Sequence, residues 1–178
     1  WTTAQVELRE LGLSPADASL FQDIAGHLFF PDPSLRAPES ELMENRGTQH
    51  LLWAAGISGD WPILLATIDS SDGLPTFRQL LIAHQYWRRR GMLVDLVVLD
   101  MEETSYRREL QEALSSALFA SSESAVADRP GGVFLRRPTD FSEAELKAYS
   151  IAMLVLFCVA LVATVLGLKT PRAAGLIL

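Results

Sequence analysis

The chain has 178 residues, enough for one domain with its own core and an attachment. Asp and Glu outnumber Lys and Arg by 22 to 15, a net charge of −7, so there is no clustered basic surface of the kind nucleic-acid phosphates need. The single cysteine, Cys158, excludes an internal disulfide; none of His27, His50 and His84 stands at zinc-ligand spacing from another ligand, so neither metal nor cofactor is expected.

In chain order, the opening WTTAQVELRELG is polar and acidic and is no signal peptide; starting at Trp1, the chain reads as a piece of a longer one. Ser14-Pro15-Ala16-Asp17 opens a helix, with Ser14 as cap, Pro15 in the first turn and Asp17 at the positive end. Leu20, Phe21, Ile24 and Leu28 recur at helical spacing, and Pro31-Asp32-Pro33 stops the run. A second helix is expected from Glu39 to Asn45, before the turn-rich Gly56–Asp60.

Strand and helix signals then alternate. Pro62–Ile68 (PILLATI) predicts a strand, and Asp69–Gly73 a loop. Pro75–Arg90 predicts a helix with Phe77, Leu80, Leu81, His84 and Trp87 inward. Arg88-Arg89-Arg90 closes that helix, where cations suit the helix dipole; an anion contact is the alternative. Leu93–Leu99 predicts a second strand. A helix capped by Thr104 or Ser105 follows, with Leu110, Leu114, Ala117 and Leu118 inward. Ser121–Pro130 reads as a polar loop and Gly132–Leu135 as a third strand. Continuous apolar strands separated by helices make an α/β fold with a small three-stranded parallel sheet. The expected division is a helical arm over 1–60, the α/β unit over 61–140, and a capped apolar helix and tail over 141–178.

The last segment begins with the capping box Ser142–Glu145. Ser150–Leu168 carries no charge and is followed by Lys169 and Arg172. It is long enough for a membrane helix with its C-terminal end in the cytoplasm. A buried helix leading into a following domain, or an altered or truncated tail, are the other readings.

Chemistry is sparse. There is no phosphate-binding glycine motif, and Ser58 in GISGD lacks the spacing of a nucleophile elbow. Asp69 and Asp100 each follow a predicted parallel strand, at the edge where open α/β sheets bind ligands; two carboxylates there could hold a cation or act as acid and base. Asp is also the ordinary residue for starting a turn. Trp61, beside Asp60, is a candidate sugar-stacking residue, as are Trp53, Tyr86 and Trp87, although aromatics next to apolar runs are usually core.

Five stretches in fixed order carry a family resemblance: LFQDIAGHLFFPDPSLRAP, LLWAAGISGDWPILLATID, LPTFRQLLIAHQYWRRRGMLVDLVVLD, SYRRELQEAL and GGVFLRR. From about Leu20 to Arg137 the chain resembles cyclic β-1,2-glucan synthases, large bacterial inner-membrane enzymes. The resemblance implies a parent that builds β-1,2-glucan from UDP-glucose, cyclises it, and trims it with a phosphorylase-like module of glycoside hydrolase family 94. The segment itself resembles the connecting region between sugar-binding β-sandwich modules, so no catalytic residue is carried over. The partners implied are those sandwich and barrel modules, and glucan; membrane contact through Ser150–Leu168 is an expectation from its uncharged length alone. Past Arg137 the resemblance implies a more polar helix than the one written here.

Overall fold

The computed structural model describes residues 2–30, 52–53, 55–101 and 109–138. The expected helix at Glu39–Asn45, the caps Thr104 and Ser105, His50, Cys158 and the whole of 141–178 lie outside these residues. Among the described residues no helix is long and apolar enough to cross a membrane.

The N-terminal region is helical. Helix α1 spans Thr3–Glu10, which the sequence reading left unassigned; Gln5 Oε1 accepts from the Thr2 amide at 3.3 Å. The chain reverses at Gly12, whose φ of 67° is a left-handed conformation that side chains resist. That reversal lets the Leu13 amide reach the Leu8 carbonyl at 2.8 Å, closing the helix end. Helix α2, Pro15–Phe29, has the expected cap: Ser14 Oγ accepts from the Asp17 amide and Asp17 Oδ2 from the Ser14 amide. Its Phe21, Ile24 and Leu28 are buried.

The α/β unit follows as β1 (Ile63–Ile68), α3 (Leu74–Arg89), β2 (Asp95–Asp100), α4 (Glu109–Phe119) and β3 (Val133–Arg136). The strands form one parallel sheet in the order β1-β2-β3, with Ile63 opposite Asp95, Ile68 opposite Asp100 and Leu96 opposite Val133. Two short 3-10 turns, Ser71–Gly73 and Ser122–Val126, fall inside the segments expected to be loops. The second strand starts later than its composition suggests, at Asp95 and not Leu93. The ladder with β1 cannot extend further back because Pro62 has no N–H to give, and the Val94 carbonyl is met by His84 Nε2 at 2.8 Å. Pro62 cannot donate to a ladder, but its carbonyl accepts from the Asp95 amide at 2.8 Å and sets the register.

Helices α2, α3 and α4 all contribute to one core, with Leu64, Ala66 and Ile68 of β1, Leu96 and Val98 of β2, and Val133 of β3. Both crossover helices therefore cover the same face, as connections of one hand between successive neighbours require. The opposite face is smaller: Val97, Leu99 and Phe134 pack against Ala55 and Ile57, with Leu52 partly buried beside them. Burial on both sides is why all of β2, including its two aspartates, is enclosed.

The turn into β3 admits no side chain at Gly132, because a Cβ there would lie 1.9 Å from the Val126 carbonyl oxygen. Gly132→Ala is expected to destabilise the chain by at least ~1–3 kcal/mol, read by urea denaturation, because the obstacle is backbone and cannot turn aside. An unchanged midpoint would show that this turn is not packed as described.

Candidate functional site

The expected ligand edge lies at the carboxyl ends of the strands. Asp100 closes β2 opposite Ile68 and is 7% exposed. By strand alternation it shares the helix-covered face with Leu96 and Val98. It lines a small hollow, about 40 Å³, with Gln111, Ser115, Arg136 and Arg137, room for roughly one water. Asp69, one residue beyond Ile68, is exposed, accepts from Ser70 Oγ at 3.1 Å and does not line the hollow. Asp69 follows the end of β1 and Asp100 ends β2, and of the two only Asp100 lines this hollow. Among the described residues no group of three or more His, Cys, Asp or Glu could hold a metal ion.

Asp60 and Trp61 sit at the other end of β1, whose six residues separate them from Asp69 by about 17 Å of strand. Asp60 is exposed, and its amide donates to Ser58 Oγ at 3.2 Å. Trp61 is 39% exposed, and Trp53 is 53% exposed with its indole N–H donating to the Ser58 carbonyl at 3.1 Å. These two rings border the same turn and present open surface. Tyr86 and Trp87 do not, at 1% exposure each, and are core.

The densest polar arrangement lies near the amino ends of the strands, centred on the second half of α3. His84 and Glu123 are buried, and His84 Nδ1 contacts Glu123 Oε2. Arg88 grips the same carboxylate at both oxygens, Nη2 to Oε1 at 2.8 Å and Nε to Oε2 at 3.3 Å. Burial works to raise the Glu123 carboxyl; the bonds and charges of His84 and Arg88 outweigh it and hold it below the ordinary glutamate range. Next to Val94, Asp95 is fully enclosed. Its Oδ1 accepts from the Gly131 amide at 2.6 Å, while Oδ2 has no hydrogen-bond partner among the described residues. Burial, only partly offset by the Gly131 bond and the His84 charge, pushes this carboxyl up.

The arginine run closes α3 as expected, with Arg88 and Arg89 in its last turn, and its charges also meet carboxylates that the sequence did not reveal. Arg88 binds Glu123, Arg89 binds Glu10 at 3.0 Å, and Arg90 binds Glu7 at 3.2 Å while lying 3.9 Å over the Tyr86 ring. Three consecutive cations fasten α1 and the Ser122–Val126 turn to the end of α3. Tyr86 and Trp87 fasten α2: Gln22 Nε2 donates to the Tyr86 hydroxyl at 3.0 Å, and the Trp87 indole donates to the Phe21 carbonyl at 2.8 Å. His84 was expected to be core and is core. Glu123 was missed because a lone acid in a polar stretch carries no period. Asp95 left a usable signal, a charge inside the apolar run LVDLVVL.

No family model matches the chain. Over 116 residues, 65% of its length, it is 37% identical to the cyclic beta-(1,2)-glucan synthase NdvB of Rhizobium meliloti (strain 1021). The matched stretch is only 4% of that bacterial protein. By sequence, then, most of this chain is related to one short segment of a cyclic beta-(1,2)-glucan synthase.

Proposed function

We propose that this chain is a non-catalytic scaffold segment of a membrane-bound cyclic β-1,2-glucan synthase of the bacterial inner membrane, in which other modules transfer glucose, cyclise the product and trim it. The observation that carries the reading is the 37% identity with a short stretch of such an enzyme. The disposition of polar groups supports the scaffold part: His84, Arg88, Glu123, Arg89 and Arg90 are engaged with one another or with α1. In this reading residues 1–60 pack against a neighbouring module, 61–140 space the modules, and 141–178 lead into the next part of the parent or into the bilayer.

A second reading, a small ligand-binding or enzymatic unit, draws on Asp100 beside Gln111 and the two arginines in the hollow at the carboxyl edge. Asp69 and Asp100 separate the two. In the full-length synthase, Asp69→Asn and Asp100→Asn are expected to leave glucan made per molecule of enzyme unchanged. Asp69 is exposed, so its substitution tests chemistry with little folding penalty. A loss of about tenfold or more per molecule in Asp69→Asn would favour the second reading.

A further inference from the structure

Strands β1 and β3 are the two edges of the sheet, and the chain treats them differently. On β3 the outward carbonyls are taken. The Val133 carbonyl accepts from the Asp128 amide at 3.0 Å, and the Leu135 carbonyl from Arg136 Nη1 at 2.9 Å. Ala127 also lies against Val133 as an isolated bridge. On β1 the carbonyls of Pro62 and Ile68 accept from the amides of Asp95 and Met101, so the even-numbered residues turn their backbone groups toward β2. Alternation turns those of Ile63, Leu65 and Thr67 outward. Among the described residues nothing pairs with these three. Natural edges are guarded by charge, by proline or by a bulge. β1 reads ILLATI, with neither charge nor proline, and pairs with β2 residue for residue without a bulge. Pro62 belongs to the set that faces β2 and guards no outward position.

We infer that β1 is a dimerisation edge, to which a second copy of this chain adds its own β1, antiparallel and centred on Leu65. Three observations select that occupant. First, an inverted copy presents the same outward residues in reverse order. Ile63 then meets the partner's Thr67, Leu65 meets the partner's Leu65, and every outward N–H finds a carbonyl. Second, the strand carries no charge that would repel its own copy. Third, the side chains of Ile63 and Leu65 are only partly buried, while Leu64, Ala66 and Ile68 between and beside them are buried. Ile63 and Leu65 pack on the smaller core of Ala55, Ile57, Val97, Leu99 and Phe134, a layer with no strand beyond β1. The same residues of a copy continue that layer and take its apolar rim out of water. The two-fold axis stands normal to the sheet, so the helices of both copies stay on one side. The guarded β3 edges stop growth at two chains, giving a closed sheet of order β3-β2-β1-β1-β2-β3. The inference stands apart from the scaffold reading, since it needs only the fold of this chain.

Sedimentation velocity of the full chain over about 1–100 µM is expected to show monomer and dimer in equilibrium. Thr67 is exposed and its amide is one of the outward three, so Thr67→Pro removes bonds of the dimer while the ladder to β2 keeps all of its own. The dissociation constant should rise about tenfold or more in Thr67→Pro, whereas Thr67→Ser, which keeps the amide, should stay within about twofold. Circular dichroism checks the fold of the proline variant; should it not fold, Thr67→Lys sets a charge on the edge and carries the same expectation. Cross-linking reads the register. With Cys158→Ser as background, Leu65→Cys places two thiols on residues whose Cα atoms pair at about 5.5 Å, and mild oxidation should give a disulfide-linked dimer. Val6→Cys, exposed on α1, should give none. A dimer that Thr67→Pro and Thr67→Lys leave intact overturns the proposal, as do assemblies larger than two and cross-linking no better through Leu65→Cys than through Val6→Cys. A chain that stays monomeric throughout also overturns it, and leaves the edge to a strand from elsewhere in the parent protein.

Discussion

Trp87→Ala is expected to lower the unfolding free energy by about 3–5 kcal/mol, measured by urea denaturation of the full chain. The side chain is 1% exposed and belongs to the core that α2, α3, α4 and the sheet share. Truncation would leave a cavity that the parallel strands cannot collapse to fill. It would also remove the indole bond to the Phe21 carbonyl and the edge contact with the Phe21 ring at 6.5 Å, both of which hold α2. Trp87→Phe keeps most of the volume and loses the bond, so it should cost about 1 kcal/mol beyond its smaller cavity term. A loss below ~1 kcal/mol for Trp87→Ala would mean that α2 is not docked on this face.

Glu123→Gln is expected to cost a similar ~3–5 kcal/mol near neutral pH, because it takes the counter-charge from Arg88 and the carboxylate partner from the buried His84 ring. Arg88 can turn outward, its side chain being 33% exposed; His84 cannot, at 2%. The pH dependence follows from the direction of the shift. Glu123 sits below its ordinary value in the fold, so its contribution is complete above the unfolded glutamate value and is lost as pH falls through the folded one. The gap between the unaltered chain and Glu123→Gln should thus be wide near pH ~7 and narrow toward pH ~3. Asp95 has the opposite sign. Raised by burial, it favours the fold below the unfolded aspartate value and ceases to do so as pH rises through the folded one. Adding Asp95→Asn to both chains removes that opposing slope, and the Glu123 difference should persist. A gap that does not change with pH would place the Glu123 effect in packing and not in charge.

The site was less legible in the sequence than the fold, for reasons visible in particular residues. Asp69 and Asp100 were marked because each follows a strand, and both do stand at the carboxyl edge. Whether two carboxylates converge depends on which face each leaves and what covers it, and here one lines a hollow while the other is in water. Trp61 and Asp60 were found as neighbours in a turn, and neighbours they are, at the far end of β1. Arg88, Arg89 and Arg90 were read through their own helix; their partners come from residues 35 to 83 positions away in the chain, a separation no local pattern encodes.

Local physics alone determined α2, α3, the three strands and the inward faces of the helices between them. Continuous apolar runs are what a strand buried on both sides requires, and the spacing of Phe77, Leu80, Leu81, His84 and Trp87 is that of one helix face. Ser14 with Asp17 fixed a helix start within one turn of chain. Tertiary structure decided the rest: α1 docked by Arg89 and Arg90, the Val94 carbonyl met by His84 across the core, and the buried union of His84, Arg88 and Glu123. Hydrophobic period and capping act over a few residues and can be read from them. Pairing between distant charges exists only once the chain has brought them together in a place that excludes water.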